Sequence, residues 1–311
     1  MNARAEAYER LEGRYETCVL EPSPPAVASG PWFADDPAAR GEVPAGRTVV
    51  SPVGTGDLRW DDLASTDPKL AEWCADRWLG AYRRLGPAPA KLVPTRISLH
   101  RLAEQVVSPA RRKANGKIGL RYTRGGFGTP FFGPDVQVRV RGAELVVEDA
   151  TGERAAAITT LDAAADHIGR DLLPDDVQLD REPLDVDPAS AAFLGDWYGF
   201  GASVLEELRA SAGADADPSR VQLWPEHFDL AVELGSETKG ARAAYGLSPG
   251  DDNHPEPYLY VAPWVAPEPD ELWQATGFSG AELPYAELLD APDQRETALA
   301  FFDARLRALV P

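Results

Sequence analysis

Cysteine is nearly absent from this chain: Cys18 and Cys74 are the only two in 311 residues. So distant a pair fits a reduced compartment better than a disulfide scaffold, which points to the cytoplasm. No apolar run approaches the roughly 20 residues needed to cross a bilayer. The N-terminus, Asn2-Ala-Arg-Ala-Glu, is charged where a signal peptide needs an apolar stretch. Positive charge is scarce too. Lys and Arg number 31 against 50 Asp and Glu, a net charge of −19. That balance argues against generic binding to nucleic acid or to an anionic membrane. The familiar chemical signatures are also missing: no Cys-x-x-Cys, no HExxH, no EF-hand loop, no P-loop and no zinc-finger spacing.

The chain is long enough to bury a substantial core, and eight Trp supply bulk for it. Residues 1–90 read as a helical N-terminal region with an irregular arm at 21–56, where seven Pro and five Gly forbid long regular elements. Helices are expected at 3–18, striped by Ala5, Tyr8, Leu11, Tyr15 and Cys18, and after Asp67-Pro68, ending at Gly86-Pro87. Cys74 sits in the apolar stripe of the second of these and reads as a packing residue.

Residues 91–311 read as an α+β domain. A helix begins at Thr95, and from Asn115 the apolar period changes from 3.6 to 2. Strands are expected at Lys117–Thr123, around Val136–Arg141, at Glu144–Glu148 and at Ala155–Thr159, with Arg141-Gly142 as a hairpin turn. A short helix follows at Leu161–Ile168. Asp187-Pro188 opens a long helix that contains Gly195, Gly199 and Gly201, a sign of close backbone packing or of a kink. Two alternating stretches, Glu226–Leu234 and Tyr258–Trp264, come next, and a helix started by Asp290 and Pro292 closes the chain. The order helix, strand, Gly/Pro loop, strand, helix occurs twice. This predicts a mainly antiparallel sheet with helices on one face, built from two related α-β-β-α halves at 91–180 and 181–311.

Candidate chemistry gathers in three places. Gly246-Leu-Ser248-Pro-Gly250 matches the G-x-S-x-G pattern, but Pro249 has no N–H for an oxyanion hole and its continuation cannot open a helix, so a turn is the better reading. Extended through Glu226–Leu234, the chain would put His227, Asp229 and Glu233 on one strand face, with His254, Asp251, Asp252 or Glu256 from the loop completing an N/O set suited to Zn, Mn or Fe(II). Any half-solvated strand shows the same alternation. Finally, residues 91–141 hold eleven Lys or Arg and two acids, Glu104 and Asp135. Arg121 and Arg124 there lead into Gly125-Gly-Phe-Gly128, a combination that suits a small anion or a ligand-free glycine hairpin. Tyr258 and Tyr260 could wall an apolar pocket or pack as core.

Asn115-Gly-Lys-Ile118, Phe228-Asp-Leu-Ala-Val232, Pro249-Gly250 and Pro257-Tyr-Leu-Tyr260, in that order, resemble a family of uncharacterised bacterial proteins defined only as a domain of unknown function. The resemblance spans about residues 93–266. It implies interest in Asp229 and carries no activity. Two expectations follow. One is a binding protein for a small anionic ligand, using Arg121, Arg124, Asp229, Tyr258 and Tyr260. The other is a metal-assisted hydrolase or lyase using His227, Asp229, Glu233 and His254. No residue is assigned a catalytic role.

Overall fold

The computed structural model describes residues 85–310, except 124, 130, 131, 133–135, 150, 213–215 and 269, together with 48–49 and 58–59. The helices expected at 3–18 and from Asp67, and most of the 21–56 arm, lie outside the described residues. Strands β1 (Thr48–Val49) and β2 (Leu58–Arg59) form a small antiparallel pair.

The remainder is an α+β fold with one pattern used twice. Helix α1 (Leu92–Leu102) continues through a π-helical stretch at Ala103–Val107 into α2 (Ser108–Asn115), which Gly116 ends in the left-handed conformation. Five antiparallel strands follow as a meander: β3 (Arg121–Thr123), β4 (Gly126–Gly128), β5 (Gln137–Arg141), β6 (Glu144–Asp149) and β7 (Gly152–Ala157). Helix α3 (Leu161–Ile168), capped by the Thr160 hydroxyl, closes the first half. The second half opens with the 25-residue α4 (Pro188–Ala212) and runs through β8 (Gln222–Trp224), β9 (Asp229–Leu234), β10 (Ala243–Ser248), β11 (Tyr258–Pro263) and β12 (Ala281–Pro284). Helices α5 (Tyr285–Asp290) and α6 (Gln294–Leu309) finish it.

The two sheets meet along their first strands. Leu120 and Leu223 exchange both backbone hydrogen bonds, each 2.8 Å. Because side chains alternate along a strand and opposite residues share a face, the register fixes two surfaces. Inward rows are apolar: Tyr122, Phe127, Val140 and Leu145 in the first sheet, and Leu223, Leu230, Leu247 and Leu259 in the second, all buried. Helix α4 crosses beneath both sheets, touching β3, β4, β9 and β10, and it also packs on α1 and α6.

Its glycines report close packing. A Cβ on Gly195 would lie 2.5 Å from the Gly125 carbonyl carbon, so the β3–β4 turn rests on the helix backbone. The opposite, outward surfaces of the sheets differ between the halves. In the first, Arg139 is buried by ion pairs with Glu148 and Glu153, and Arg141 bonds Glu153 at 2.7 Å and Glu144 at 3.2 Å. In the second, the outward surface holds the site described next. Among the described residues no helix is long and apolar enough to cross a membrane.

Candidate functional site

The site begins with one strained residue. Phe228 has φ +56°, the left-handed region that costs a side-chain-bearing residue about 1–2 kcal/mol. The β8–β9 turn therefore ends abruptly, and β9 starts at Asp229 rather than at Glu226. Three elements hold the turn. The Tyr198 hydroxyl of α4 donates to the Phe228 carbonyl at 2.7 Å. The His100 ring of α1 stacks on Phe228 with centroids 5.2 Å apart, and its Nε2 lies 2.8 Å from the Pro225 carbonyl oxygen. Phe127 of β4 meets the Phe228 ring edge-on at 5.1 Å. Strain retained under so many restraints marks a place where position matters. The residue it positions is Asp229.

Asp229 is 7% exposed. The Tyr260 hydroxyl donates to its Oδ2, while its Oδ1 is withdrawn from solvent and has no hydrogen-bond partner among the described residues. Tyr260 stands on β11, two strands from Asp229. It reaches across because Gly246 lies between them. A Cβ on Gly246 would sit 2.4–2.6 Å from the outer carbons and hydroxyl of the Tyr260 ring, so the phenol lies flat over a bare backbone. Burial pushes the Asp229 carboxyl above its ordinary pKa, and the Tyr260 hydrogen bond and the charge of His227 only partly offset this. Burial and the neighbouring Asp229 likewise raise the Tyr260 phenol, so it remains a donor.

Around this pair the outward surface of the second sheet forms a cavity of about 780 Å³. Ala231, Ala244 and Ala262 make a shallow floor; Trp224, Tyr258, Tyr260 and Phe278 make walls; Glu226, His227, Glu233, Ser248 and Asp251 add polar groups. The Tyr258 and Tyr260 rings lie 6.2 Å apart at 54°, and Tyr260 and Phe278 lie 6.2 Å apart at 86°, so the rings enclose a corner. The loop after β10 is tied in place. Asp251 accepts from the Tyr258 hydroxyl at 2.7 Å and from the backbone N–H groups of Asn253 and His254. Burial works upward on Asp251, but these hydrogen bonds outweigh it and hold its carboxyl below the ordinary range. From below, Arg96 of α1 donates to the Asp251 carbonyl at 3.1 Å.

The structure brings Asp229, Tyr258 and Tyr260 to one cavity, with His227 and Glu233 on the same lining, and leaves Arg121 and His254 out of it. Arg121 is a buried residue of β3 and does not line the cavity. Its row continues across the Leu120–Leu223 bridge toward Gln222 and Ala231, about 10 Å short of Ala231 at ordinary strand spacing. Arg124 lies outside the described residues. Among the described residues no lysine or arginine lines the cavity, so the anionic ligand expected from the basic island gains no support from this wall.

The metal set also needs correction. His227 is in the exposed turn, because the left-handed Phe228 breaks the alternation that would have put it beside Asp229 and Glu233 on one strand. Glu233 is held by Arg242 at 3.1 Å, and His254 faces Glu282 at 3.5 Å. Among the described residues no group of three His, Cys, Asp or Glu is placed to hold a metal ion, so neither Zn nor Mn has a ligand set.

Sequence reasoning missed Trp224, Phe278 and the floor of small residues. The alternation Ala231, Ala244, Gly246, Ala262 was the available signal: a sheet surface that lacks bulk at its centre leaves room for something else. The sheet and its cavity define an α+β protein with a candidate small-molecule site. No family model matches this chain. No curated protein matches it, and no solved structure does.

Proposed function

We propose that this protein binds a small organic molecule in the cavity over Asp229. The observation that carries the reading is a buried carboxyl with one unpartnered oxygen at the foot of an aromatic-walled cavity of about 780 Å³. Most buried polar atoms in folded proteins find a partner, and one that does not calls for an explanation; of the unpartnered buried atoms among the described residues, the Asp229 oxygen is the one that belongs to the lining of this cavity. The volume falls within the ordinary range of ligand sites, and a mainly apolar lining with few polar anchors is their usual composition. The tethered loop and the braced β8–β9 turn hold the polar groups in place before a ligand arrives, which lowers the entropic cost of binding.

Nile red, a neutral dye that brightens in apolar surroundings, tests the reading. The full chain is expected to bind it saturably. Ala262→Trp, which fills the floor from a half-buried strand position, is expected to abolish binding while leaving the unfolding temperature close to that of the parent. Equal binding by the parent and by folded Ala262→Trp would place the dye elsewhere and remove the support for this site.

A further inference from the structure

We propose that the ligand of this cavity carries a positively charged ammonium group, held between Asp229 and the rings of Tyr258, Tyr260 and Phe278; this rests on the reading that the cavity binds a small molecule. Three features converge on it. Among the described residues the lining holds four carboxylates, Glu226, Asp229, Glu233 and Asp251, against one histidine, His227, and no lysine or arginine, so its field disfavours anions. Glu233 already has Arg242, and Asp251 already has three donors. Asp229 has one side-chain donor among the described residues, the Tyr260 hydroxyl, and is more than nine-tenths buried. Among the carboxyls of the described wall it is the buried one; Glu226 is exposed to water.

The aromatic corner supplies the second half of the recognition. A cation is drawn to the faces of aromatic rings, more strongly when both are shielded from water. Rings turned by 54° and 86° to one another, as Tyr258, Tyr260 and Phe278 are, present surfaces in different directions around a point, where a flat stack would present one. A carboxyl beside such a corner suits an alkylated or primary ammonium. A purely apolar ligand would leave Asp229 uncompensated, and an anion would add like charge to it.

The test compares two molecules of one shape. Benzyltrimethylammonium and neopentylbenzene differ only in a charged nitrogen replacing a carbon, and the hydrophobic effect favours the uncharged one. Each is titrated against Nile red bound to the full chain. The ammonium is expected to displace the dye at about tenfold lower concentration than its isostere. Asp229→Asn is expected to close most of that gap. Phe278→Leu, at a half-buried wall position, keeps apolar bulk and removes the ring; with the unfolding temperature checked beside it, it is expected to weaken the ammonium several-fold and leave the isostere unchanged.

An isostere that competes as well as the ammonium in the parent protein overturns the ammonium assignment and leaves the cavity as a binding site. An ammonium preference that survives both variants also overturns it. Dye binding that persists in folded Ala262→Trp, or is missing from the parent, removes the underlying reading and this one with it.

Discussion

Replacing Phe228 by alanine and by glycine should order two variants against the usual rule. Phe228 is 1% exposed and packs on His100, Phe127 and Tyr198. Deleting such a ring costs about 3–5 kcal/mol, from lost transfer energy and from the cavity that remains. Both variants suffer that loss. They differ in the backbone. At φ +56° alanine keeps the left-handed penalty, whereas glycine adopts the conformation freely. In an ordinary strand or helix glycine is the worse residue by about 0.5–1 kcal/mol. Here it should be the better one by about 1 kcal/mol. Equilibrium urea unfolding, read at equal slope for both variants, measures the difference. It corresponds to roughly 2–4 °C in unfolding temperature for a domain of this size. An alanine variant as stable as the glycine variant, or more so, would mean that the turn carries no strain and that Asp229 is not being positioned by it.

Removing the Tyr198 hydroxyl in Tyr198→Phe leaves the Phe228 carbonyl without its 2.7 Å donor and should cost about 1–3 kcal/mol in the same assay, a loss absent if water takes over the bond. Gly246→Ala places a Cβ within 2.4–2.6 Å of the Tyr260 ring, so the phenol must swing off Asp229; Nile red binding should change far more than unfolding temperature, and an unchanged dye affinity would refute the crossing. Asp229→Asn should stabilise the protein at neutral pH. The folded carboxyl titrates above its unfolded value, so the folded state holds a proton that the unfolded state has released, and the parent loses stability as pH rises from the ordinary aspartate range to the raised pKa. The advantage of Asp229→Asn should therefore grow across that window and disappear below it; a constant offset at all pH values would show that burial does not raise this carboxyl.

Much of the fold was legible because periodicity reports burial. The switch from 3.6 to 2 after Asn115 marks the first sheet, Pro188 marks the start of α4, and the antiparallel α+β class is the observed one, with two five-stranded sheets where four strands were expected before α4 and two after it. What escaped is short or small. Strands β8 and β12 have three and four residues, too few for a period to show, and β10 reads Ala-Ala-Tyr-Gly-Leu-Ser, whose outward positions are too small to look alternating. The site was half legible for a related reason. Tyr258, Tyr260 and Asp229 were visible as side chains. The placing of His227 was wrong because nothing in a sequence says that a phenylalanine will adopt a glycine conformation. That conformation is imposed from outside the turn, by Tyr198, His100 and Phe127, residues distant in the chain.

The doubled pattern also accounts for where the cavity lies. Counted from the bridged strands, β5 and β10 both stand third in their sheets, and Arg139 and Gly246 both lie in the outward rows of those strands. The first row places an arginine at that point, and its ion pairs with Glu148 and Glu153 cover the sheet. The second row places a glycine there, so Tyr260 can lie across the strand to Asp229 and the surface around it stays hollow. Charge follows the same division. In the first half positive and negative side chains neutralise each other on the sheet, whereas the second half gathers carboxyls around a wall in which the described residues include no lysine or arginine. Arginine on the third strand of one half and glycine on the third strand of the other thus separate a closed face from an open one.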